Sequence, residues 1–450
     1  MLEKIFKLKE NKTDIQTEFV AGVTTFMAMS YIIFVNPAVL SLTGMDYNAV
    51  YGATILASIV GTLILALYAN VPYAQSAGIG LGSIFTYTLC GSMGYTWEQA
   101  LAMVFICSII NLTITLTSFR KRIIHAIPNF IQEAITAGIG LYITYIGLMN
   151  AGLINFQASE LHNGYAKEVI PQIASFNSPS VLLAIFGLLL AIILLVLKVK
   201  GAYLISIIVT TIVGIPIGVT QLPSFSNYTI LPSLAPTFMH LDIAGLFTAK
   251  TSILIVFMTI FTLCISDLFD SIGIFIGTGK KSGIFKISKE NKLPKKLERA
   301  LIADSTGSLF GSILGTSNVT TYLESTVGIE AGGRTGLTSV FVALSFFLAL
   351  FISPVIKIVP MEAVAPVLIL IGVSMVENIG TIDWKDIAIA IPAFFTIVLM
   401  PLSYSITTGI EIGFILFTLI SFITNNKKEL SPIMIILSIL FIINFIFTAI

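Results

Sequence analysis

A polar stretch lies deep inside an otherwise apolar chain. Residues 316–336 read TSNVTTYLESTVGIEAGGRTG, with hydroxyls and an amide first, then the carboxylate of Glu324, then paired glycines and Arg334. Hydrophobic helical segments flank the stretch on both sides. Backbone that is not helical at membrane depth must be buried in protein or line a wet cavity, and an intramembrane carboxylate marks a functional site by default. The alternative interpretation is an ordinary loop outside the membrane.

The composition indicates a membrane protein. Of 450 residues, 56% are hydrophobic and 10% are charged, whereas a soluble domain carries roughly 25% charged residues. The net charge of +1 predicts no nucleic-acid partner. The three cysteines lie in apolar segments, which argues against a disulfide framework, and no removable signal peptide is predicted. The chain lacks the HExxH, CxxC and GxSxG motifs, so we predict no enzyme activity, no metal and no cofactor.

The hydropathy pattern predicts an all-α polytopic fold with fourteen transmembrane spans. Two of these spans, the third and the tenth, are interrupted by glycine and hydroxyl residues. The third carries Gly78, Gly80 and Gly82 at every second position, and glycine disfavours helix by about 1 kcal/mol relative to alanine. We therefore predict that 73–79 and 316–322 are extended, adjacent segments, each leading into a half-helix. The spans lie at roughly 18–42, 47–69, 73–91, 97–118, 128–150, 179–199, 201–219, 251–278, 299–315, 317–331, 336–356, 361–380, 386–402 and 405–424.

The distribution of basic residues predicts the orientation. With the N-terminus in the cytoplasm and fourteen alternating spans, 21 of the 24 lysines and arginines fall on the cytoplasmic side. Such asymmetry is what the positive-inside rule describes. A further hydrophobic segment at 432–449 either crosses the membrane or lies along the bundle, and the sequence leaves both alternatives open.

An internal repeat is present but faint. Pro128 precedes span five and Pro360 precedes span twelve, and the same offset aligns Gly140 with Gly372. The two interrupted spans occupy equivalent places in two seven-span halves, which must have opposite orientations because seven is odd. Inverted repeats with interrupted helices point to a secondary transporter whose site lies at the membrane midplane.

Several carboxylates lie within the predicted spans. Asp267 and Asp270 are three residues apart and share a helix face. Because a charge at a lipid-facing helix centre costs about 2.5–3.5 kcal/mol, they should face a cavity. For Asp304, near the start of span nine, an ion pair or a helix cap is favoured over substrate contact. Glu411 is expected to be satisfied near a span end. For Asp270 and Glu324 we favour a functional role.

Three motifs identify a family resemblance. AGVTTFMAMSYIIFVNPAVL at 21–40, SDLFDSIG at 266–273 and the 316–336 stretch resemble the AzgA-type purine permeases. These belong to the second nucleobase:cation symporter family, within the nucleobase–ascorbate transporter superfamily. The similarity runs over almost the whole chain, and the 316–336 motif is highly specific.

The resemblance implies a division into domains and a short strand in each of spans three and ten. Spans 1–4 and 8–11 would form a core domain, and spans 5–7 and 12–14 a gate domain through which the protein could form a homodimer. In this sequence the parts are a cytoplasmic N-terminus at 1–17, core segments at 18–118 and 251–356, gate segments at 128–219 and 361–424, and the extra segment at 432–449.

The resemblance also implies site residues. Asp270 and Glu324 match the acidic positions of spans eight and ten, where the purine is expected. Span three departs from the usual APGMGLNA pattern and reads SAGIGLGS, with Ala77 for proline and Gly82 for asparagine. The alternatives are therefore a wider pocket for the same ligand or a ligand other than a purine. The predicted substrate-binding set is Glu324, Asp270, Gly82, Ser83, Phe269, Thr321, Tyr322 and Ser325, and the proton-coupling set is Asp270, Glu324 and Asp267. Phe85, Tyr87, Phe269 and Tyr322 are candidate stacking surfaces, although core packing is the more common role of an aromatic residue in a chain with 32 phenylalanines.

We therefore predict a proton-coupled importer of purine bases such as adenine, guanine or hypoxanthine in the plasma membrane. A flat, neutral purine needs a polar slot with few well-placed groups, and two buried carboxylates close together should not both be charged. We hypothesise that Glu324 binds the base and Asp270 carries the coupling proton. The alternatives are a transporter of another nucleobase or a small anion, and an ion channel or exchanger on the same fold.

Overall fold

The computed structural model describes residues 2–117, 127–162, 165–221, 231–247, 253–282, 284–285, 294–352, 358–424 and 430–449. Within these ranges only the backbone is described for 157–162, 165–170, 269, 272–273, 276–282, 352, 378 and 447–449. The basic segment 120–122 and, within the loop 279–299, residues 283 and 286–293 lie outside the described residues, and the predicted orientation depends on both regions.

The first half of the chain contains nine helices and three strands in the described residues. They are α1 Leu2–Phe6, α2 Ile15–Met29, α3 Ile32–Leu40, α4 Tyr47–Ile64, β1 Gln75–Ala77, α5 Ile79–Ser83, α6 Trp97–Leu116, α7 Asn129–Asn150, β2 Ile154–His162, β3 Tyr165–Ile173, α8 Pro179–Val196 and α9 Ala202–Ile217. Single turns or π-helical segments at Ser41–Thr43, Leu65–Ala69 and Ile84–Ser92 extend α3, α4 and α5.

The second half contains eight helices and one strand in the described residues, with 3-10 segments at Gly245–Phe247, Leu350–Ile352 and Glu377–Thr381. The elements are α10 Ile253–Ser282, α11 Lys295–Leu314, β4 Val319–Thr321, α12 Ser325–Glu330, α13 Gly336–Ala349, α14 Met361–Val376, α15 Ile387–Leu402, α16 Ile406–Ile423 and α17 Pro432–Ala449.

The helices follow the predicted spans closely. Each predicted span contains a helix, and over the described residues six helices are long and apolar enough to cross a membrane, with five shorter apolar helices beside them. The mostly helical membrane fold is confirmed. The count of fourteen crossings stays a prediction, because helices of 10–17 residues are shorter than the ~20 residues that a straight crossing needs.

Side-chain hydrogen bonds cap the N-termini of several of these helices. The Asp14 carboxylate accepts from the Thr17 N–H at 2.8 Å before α2, and this backbone hydrogen bond lowers the pKa of Asp14. Thr96 and Gln99 form a reciprocal capping box at the start of α6. Such caps satisfy N–H groups that have no partner within the helix, so they fix where these helices begin.

The two segments predicted to be extended pair with each other. β1 and β4 run antiparallel, with Gln75 opposite Thr321 and Ala77 opposite Val319. The pairing continues beyond the strands, because the Gly78 N–H donates to the Asn318 carbonyl at 2.8 Å and the Tyr322 N–H donates to the Ala74 carbonyl at 3.0 Å. The prediction that 73–79 and 316–322 are non-helical and adjacent therefore agrees with the structure except at Ile79, which is the first residue of α5.

Two features lie outside the sequence-based prediction. A β-hairpin, β2 with β3, occupies the connection between spans five and six, where we assigned no element. The first predicted span, 18–42, is divided into α2 and α3 by a turn at Ser30 and Tyr31. This turn places the Tyr31 side chain at mid-span, where it takes part in the site described below.

Helix packing separates the chain into two groups. Helices α2, α3, α4, α6, α10, α11 and α13 pack mainly among themselves, as do α7, α8, α9, α14, α15 and α16, with fewer contacts between the groups. Helices of the first group lie in the predicted core segments and helices of the second in the predicted gate segments. The division into a core domain and a gate domain stays a prediction.

The C-terminal helix α17 runs antiparallel to α16. The Asn444 amide donates to the Glu411 carboxylate at 2.8 Å, and Ser438 and Thr418 hydroxyls are 2.7 Å apart. Because residue numbers fall along α17 as they rise along α16, the two helices point in opposite directions. An 18-residue helix spans about 27 Å, so α17 can return across the same depth as α16. Glu411, expected to be satisfied, has Asn444 as its partner.

Candidate functional site

The strand pair formed by β1 and β4 lies between helices α4 and α11. In hydrocarbon every backbone N–H and C=O needs a partner, and a two-stranded ribbon leaves its outer edges unpaired. Thr62 of α4 covers the β1 edge, accepting from the Gln75 N–H at 2.9 Å and donating to the Gln75 carbonyl at 3.2 Å. Ser308 of α11 covers the β4 edge, donating to the Val319 carbonyl at 2.6 Å. Hydroxyls from neighbouring helices thus allow non-helical backbone at this depth.

Sequence reasoning missed these hydroxyls, although a signal was present. Thr54, Ser58 and Thr62 recur every four residues in span two, which places them on one helix face. Ser58 contacts the Ser76 hydroxyl at 2.6 Å, and Thr54 accepts from the Asn36 amide at 2.7 Å. A polar face on an apolar helix predicts a polar neighbour, and that neighbour is β1.

Asp304 joins the two strands to α11 and α10. Its carboxylate accepts from the Gln75 amide at 3.1 Å, the Thr321 N–H at 3.1 Å, the Thr321 hydroxyl at 2.8 Å and the Ser271 hydroxyl. An ionised carboxylate is an acceptor with about four lone-pair sites, and four donors meet it here. Asp304 is 1% exposed and lies in the middle of α11, so the predicted helix cap is wrong. Its hydrogen bonds give it a structural role, and the predicted ion pair stays a prediction.

The Gln75 side chain reaches Asp304 because small residues surround it. A Cβ atom added at Gly307 would lie 2.5 Å from the Gln75 side-chain oxygen, and Gly61 approaches the same atom. Side chains at these positions would collide with the amide. The two glycines therefore hold open the path between α4 and α11 along which Gln75 crosses.

Glu324 lies just beyond the strand pair, at the start of α12. Its Oε1 atom accepts from the Tyr31 hydroxyl at 2.5 Å. Glu324 stays partly exposed, unlike Asp304. Tyr322, two residues earlier, is buried, donates its hydroxyl to the Ala77 carbonyl at 2.5 Å, and has its ring 6.4 Å from the ring of Tyr31. Glu324 is thus held among tyrosines and retains accessible surface.

Asp270 faces the same region from α10. It lies beside the Thr320 side chain of β4 and close enough to Asp304 and Glu324 for charge interaction. Like Glu324, it is partly exposed. The structure therefore brings together the two carboxylates that the sequence placed at the site, although they are separated by more than fifty residues in the chain.

Asp267 is placed differently. It is 2% exposed and accepts from the Asn111 amide of α6 at 2.7 Å. Asn111 also lies at 3.4 Å from the Cys264 carbonyl, to which it donates. Asp267 therefore connects α10 to α6 within one packing group, and its predicted part in proton coupling stays a prediction.

Of the remaining predicted residues, some form hydrogen bonds at the strand pair and others are buried in the core. The Thr321 hydroxyl bonds to Asp304, and the Ser325 hydroxyl accepts from the Ala74 N–H at 3.0 Å. A Cβ atom at Gly82 would point toward Ser317 and Asn36, at 3.4 and 3.5 Å from their side-chain oxygens. Their contacts with a substrate stay predictions. Ser83 and Phe85 are buried, Tyr87 accepts from Asn150, and the side chain of Phe269 lies outside the described residues.

Sequence reasoning also missed Tyr31. Its signal was weak, because one tyrosine within MSYIIFVNP looks like any aromatic residue near a span. Only the pairing of β1 with β4, which brings Glu324 beside the turn between α2 and α3, gives this tyrosine a carboxylate partner.

Two half-helices that follow paired strands, with carboxylates beside them, define a membrane transporter. The fold is similar to the transmembrane domain of a cyanobacterial bicarbonate transporter, BicA, with a TM-score of 0.62, 15% sequence identity, and coverage of 87% of this chain and 97% of that one. At this identity the likeness shows the fold alone.

The family follows from sequence comparison. A family model described as "Permease family" matches residues 16–412. Adenine permease AdeP of Escherichia coli is 39% identical over 99% of this chain and 96% of its own length. Guanine/hypoxanthine permease PbuG of Bacillus subtilis is 37% identical over 99% of this chain and 100% of its own length. The chain belongs to the nucleobase:cation symporter-2 family, to which these two purine permeases also belong, and it is a multi-pass protein of the plasma membrane.

Proposed function

We propose that this chain imports purine nucleobases together with protons, with Glu324 as the group that binds the base and Asp270 as the group that carries the proton. The observation that supports this most is the pair of partly exposed carboxylates beside the strand pair. The names of the relatives, which cover adenine, guanine and hypoxanthine, support a purine as the substrate.

Purine chemistry suits this site. The ring and its exocyclic groups offer N–H donors, and an ionised carboxylate accepts from them in strong, charge-assisted hydrogen bonds. Glu324 is held by Tyr31 through one oxygen, so its orientation is fixed before a base arrives. Such preorganisation reduces the entropic cost of binding.

The neighbouring carboxylates supply a physical reason for proton coupling. Asp270 lies close to both Asp304 and Glu324, and like charges at short range in a poorly solvated region oppose simultaneous ionisation. We propose that Asp270 takes a proton while the site faces outward and releases it after the site opens to the cytoplasm. The proton and the base then move in the same direction, and the proton gradient drives accumulation of the base.

The same observations weigh against an anion as the substrate. An anion exchanger would favour a cationic site, whereas carboxylates lie at the strand pair in the described part of the chain. We further propose that the N-terminus is cytoplasmic, that the two packing groups act as core and gate, and that two copies associate through the gate.

Uptake into proteoliposomes tests the proposal. Purified protein would be reconstituted with an alkaline interior, and uptake of radiolabelled adenine, guanine and hypoxanthine measured with and without a protonophore. We expect at least one purine to accumulate, protonophore to abolish the accumulation, and unlabelled purines to compete better than uracil. Absence of uptake of all three purines would overturn the purine assignment. Accumulation unaffected by protonophore would overturn proton coupling alone.

A further inference from the structure

Tyr31 contacts both the candidate site and the opposite packing group. It lies at the turn between α2 and α3 and is 2% exposed. Its hydroxyl donates to Glu324 at 2.5 Å. The edge of its ring packs against the ring of Tyr203, with centroids 5.2 Å apart and an interplanar angle of 79°. One side chain therefore touches the carboxylate and a residue of α9.

Tyr203 belongs to the start of α9, in the group of helices predicted to form the gate. The chain enters α9 through Gly201, whose φ of +74° is a left-handed conformation that favours glycine. A Cβ atom at Gly201 would lie 3.3 Å from the side chain and backbone oxygen of Met27 in α2. The close approach of α9 to α2 thus brings Tyr203 against Tyr31, at a place where the two groups touch.

The hydrogen bond to Glu324 has a clear physical role. A carboxylate in a poorly solvated place is costly unless its oxygens receive hydrogen bonds, and Tyr31 supplies one to Oε1. A phenol is rigid, with few rotatable bonds, and the T-shaped contact with Tyr203 restrains its ring. The position of the carboxylate consequently depends on whether α9 is in contact with α2.

We propose that Tyr31 is a positioning residue that links purine binding at Glu324 to the contact between the two packing groups. When Tyr203 packs against it, Tyr31 holds Glu324 in the orientation that accepts the purine N–H. When the groups move apart, the tyrosine ring loses this support, the carboxylate is less well oriented, and the base is released more readily. This inference rests on the proposed function, because it takes the purine as the ligand of Glu324.

The proposal predicts different effects on purine binding and transport for two variants. Tyr31→Phe keeps the ring contact but removes the hydroxyl that bonds to Glu324. Hydrogen bonds to charged groups contribute about 1.5–3 kcal/mol, so we expect the equilibrium dissociation constant for the purine to rise roughly 10- to 100-fold. Tyr203→Leu keeps the hydroxyl and removes the ring contact. Because the ring of Tyr31 then loses its support, we expect the purine dissociation constant to rise about threefold, which is less than in Tyr31→Phe, and the maximal transport rate to change as well.

Tyr51→Phe is the matched control. Tyr51 is also buried in the same group of helices, and its hydroxyl donates to the Ala349 carbonyl rather than to a carboxylate. The same atom is deleted from an equally enclosed tyrosine, so any general effect on folding appears in both variants. We expect Tyr51→Phe to bind purine within about twofold of the unsubstituted protein.

The experiment measures purine binding by isothermal titration calorimetry and initial uptake rates in proteoliposomes for the unsubstituted protein and the three variants. Thermal unfolding midpoints of the purified proteins check that each is folded. Purine affinity in Tyr31→Phe equal to that of the unsubstituted protein, or lowered no more than in Tyr51→Phe, would overturn the inference while leaving the proposed function intact. Unchanged purine affinity in Tyr203→Leu, alongside lowered affinity in Tyr31→Phe, would overturn the link to the packing groups. If the unsubstituted protein binds no purine, the proposed function fails first and the inference fails with it.

Discussion

Asp304 and Glu324 are both carboxylates at the strand pair, but their surroundings differ. Asp304 is almost completely buried and meets four donors from two strands and α10. Glu324 is partly exposed and receives one hydrogen bond from another side chain, that of Tyr31. Asp270 resembles Glu324, since it is partly exposed and lies beside the strand pair, next to Thr320.

This difference distinguishes a carboxylate that stabilises the fold from carboxylates that can bind a ligand or a proton. A buried carboxylate that already accepts from several protein donors is not accessible to a ligand, whereas one that keeps accessible surface can accept from a base or take a proton. Glu18 repeats the structural pattern elsewhere, since it is buried and accepts from the Arg334 and Thr338 N–H groups at 3.0 and 2.9 Å around the start of α13. Substitutions should therefore impair folding at Asp304 and transport at Glu324 and Asp270.

The largest effect is expected from Asp304→Ala. Removing the acceptor leaves several buried donors unpaired, and breaking a buried charged network costs about 3–5 kcal/mol of the free energy of unfolding. The thermal unfolding midpoint of the purified protein measures this loss. Asp270→Ala serves as the control and should cost about 1 kcal/mol or less. Equal destabilisation by both substitutions would remove the distinction between the two kinds of carboxylate.

Glu324→Gln should act on binding rather than on stability. Glutamine keeps the shape and one acceptor oxygen, but it loses the charge that strengthens the hydrogen bond to a purine N–H. We expect the dissociation constant to rise about 10- to 100-fold, corresponding to roughly 1.5–3 kcal/mol, with an unfolding midpoint near that of the unsubstituted protein. Unchanged affinity, measured by titration calorimetry, would show that Glu324 does not bind the base.

Asp270→Asn should uncouple transport from the proton gradient. Asparagine has no proton to exchange near neutral pH, while its side chain keeps nearly the size and shape of the carboxylate that it replaces. Purine binding should stay within about threefold, and the protein should equilibrate purine across the membrane without concentrating it. Accumulation in proteoliposomes across a range of imposed pH differences measures this. Concentrative uptake with an unchanged dependence on the pH difference would assign the coupling proton to another group.

Gly82→Asn restores the residue that the resembled family has at this position and should change substrate preference more than protein abundance. An added Cβ atom has ordinary contact distances to Ser317 and Asn36, so the asparagine amide would extend into a buried polar cluster beside β4. Competition of adenine, guanine and hypoxanthine against one labelled purine measures the preference, and immunoblotting measures the abundance. Identical competition profiles at equal abundance would show that position 82 does not affect the site.

The smallest effect is expected from Asn444→Leu in α17. Hydrogen bonds between helices within membranes contribute about 0.6 kcal/mol on average, and this substitution removes the one between Asn444 and Glu411. The unfolding midpoint should fall slightly while purine affinity is retained. Ile442→Leu, at an exposed position of the same helix, is the control. A loss of purine affinity in Asn444→Leu alone would extend the functional region to the C-terminal helix.

The sequence by itself determined the membrane class, the approximate bounds of the helices and the positions of the two interruptions. This was possible because hydropathy over about twenty residues and clusters of glycine or hydroxyl residues are local properties of the sequence. A helix that crosses the bilayer must be apolar over that length, and non-helical backbone at that depth must find hydrogen-bond partners within the protein. It also indicated a functional role for Asp270 and Glu324, because carboxylates are costly in apolar spans and because both residues lie in the family motifs. The hairpin β2–β3 was missed, since short strands outside the membrane carry no comparable constraint.

Only the tertiary structure decided which carboxylate is structural and which remains accessible. Asp304, Asp267 and Asp270 look alike in sequence, as acidic residues near or within apolar spans. Their roles differ because Gln75, Thr321 and Ser271 converge on Asp304 and Asn111 reaches Asp267, and such partners are distant in the chain. The pairing of β1 with β4 also brings Glu324 to Tyr31, almost three hundred residues away. Hydrogen bonds between distant residues depend on how helices pack, and hydropathy does not encode this packing.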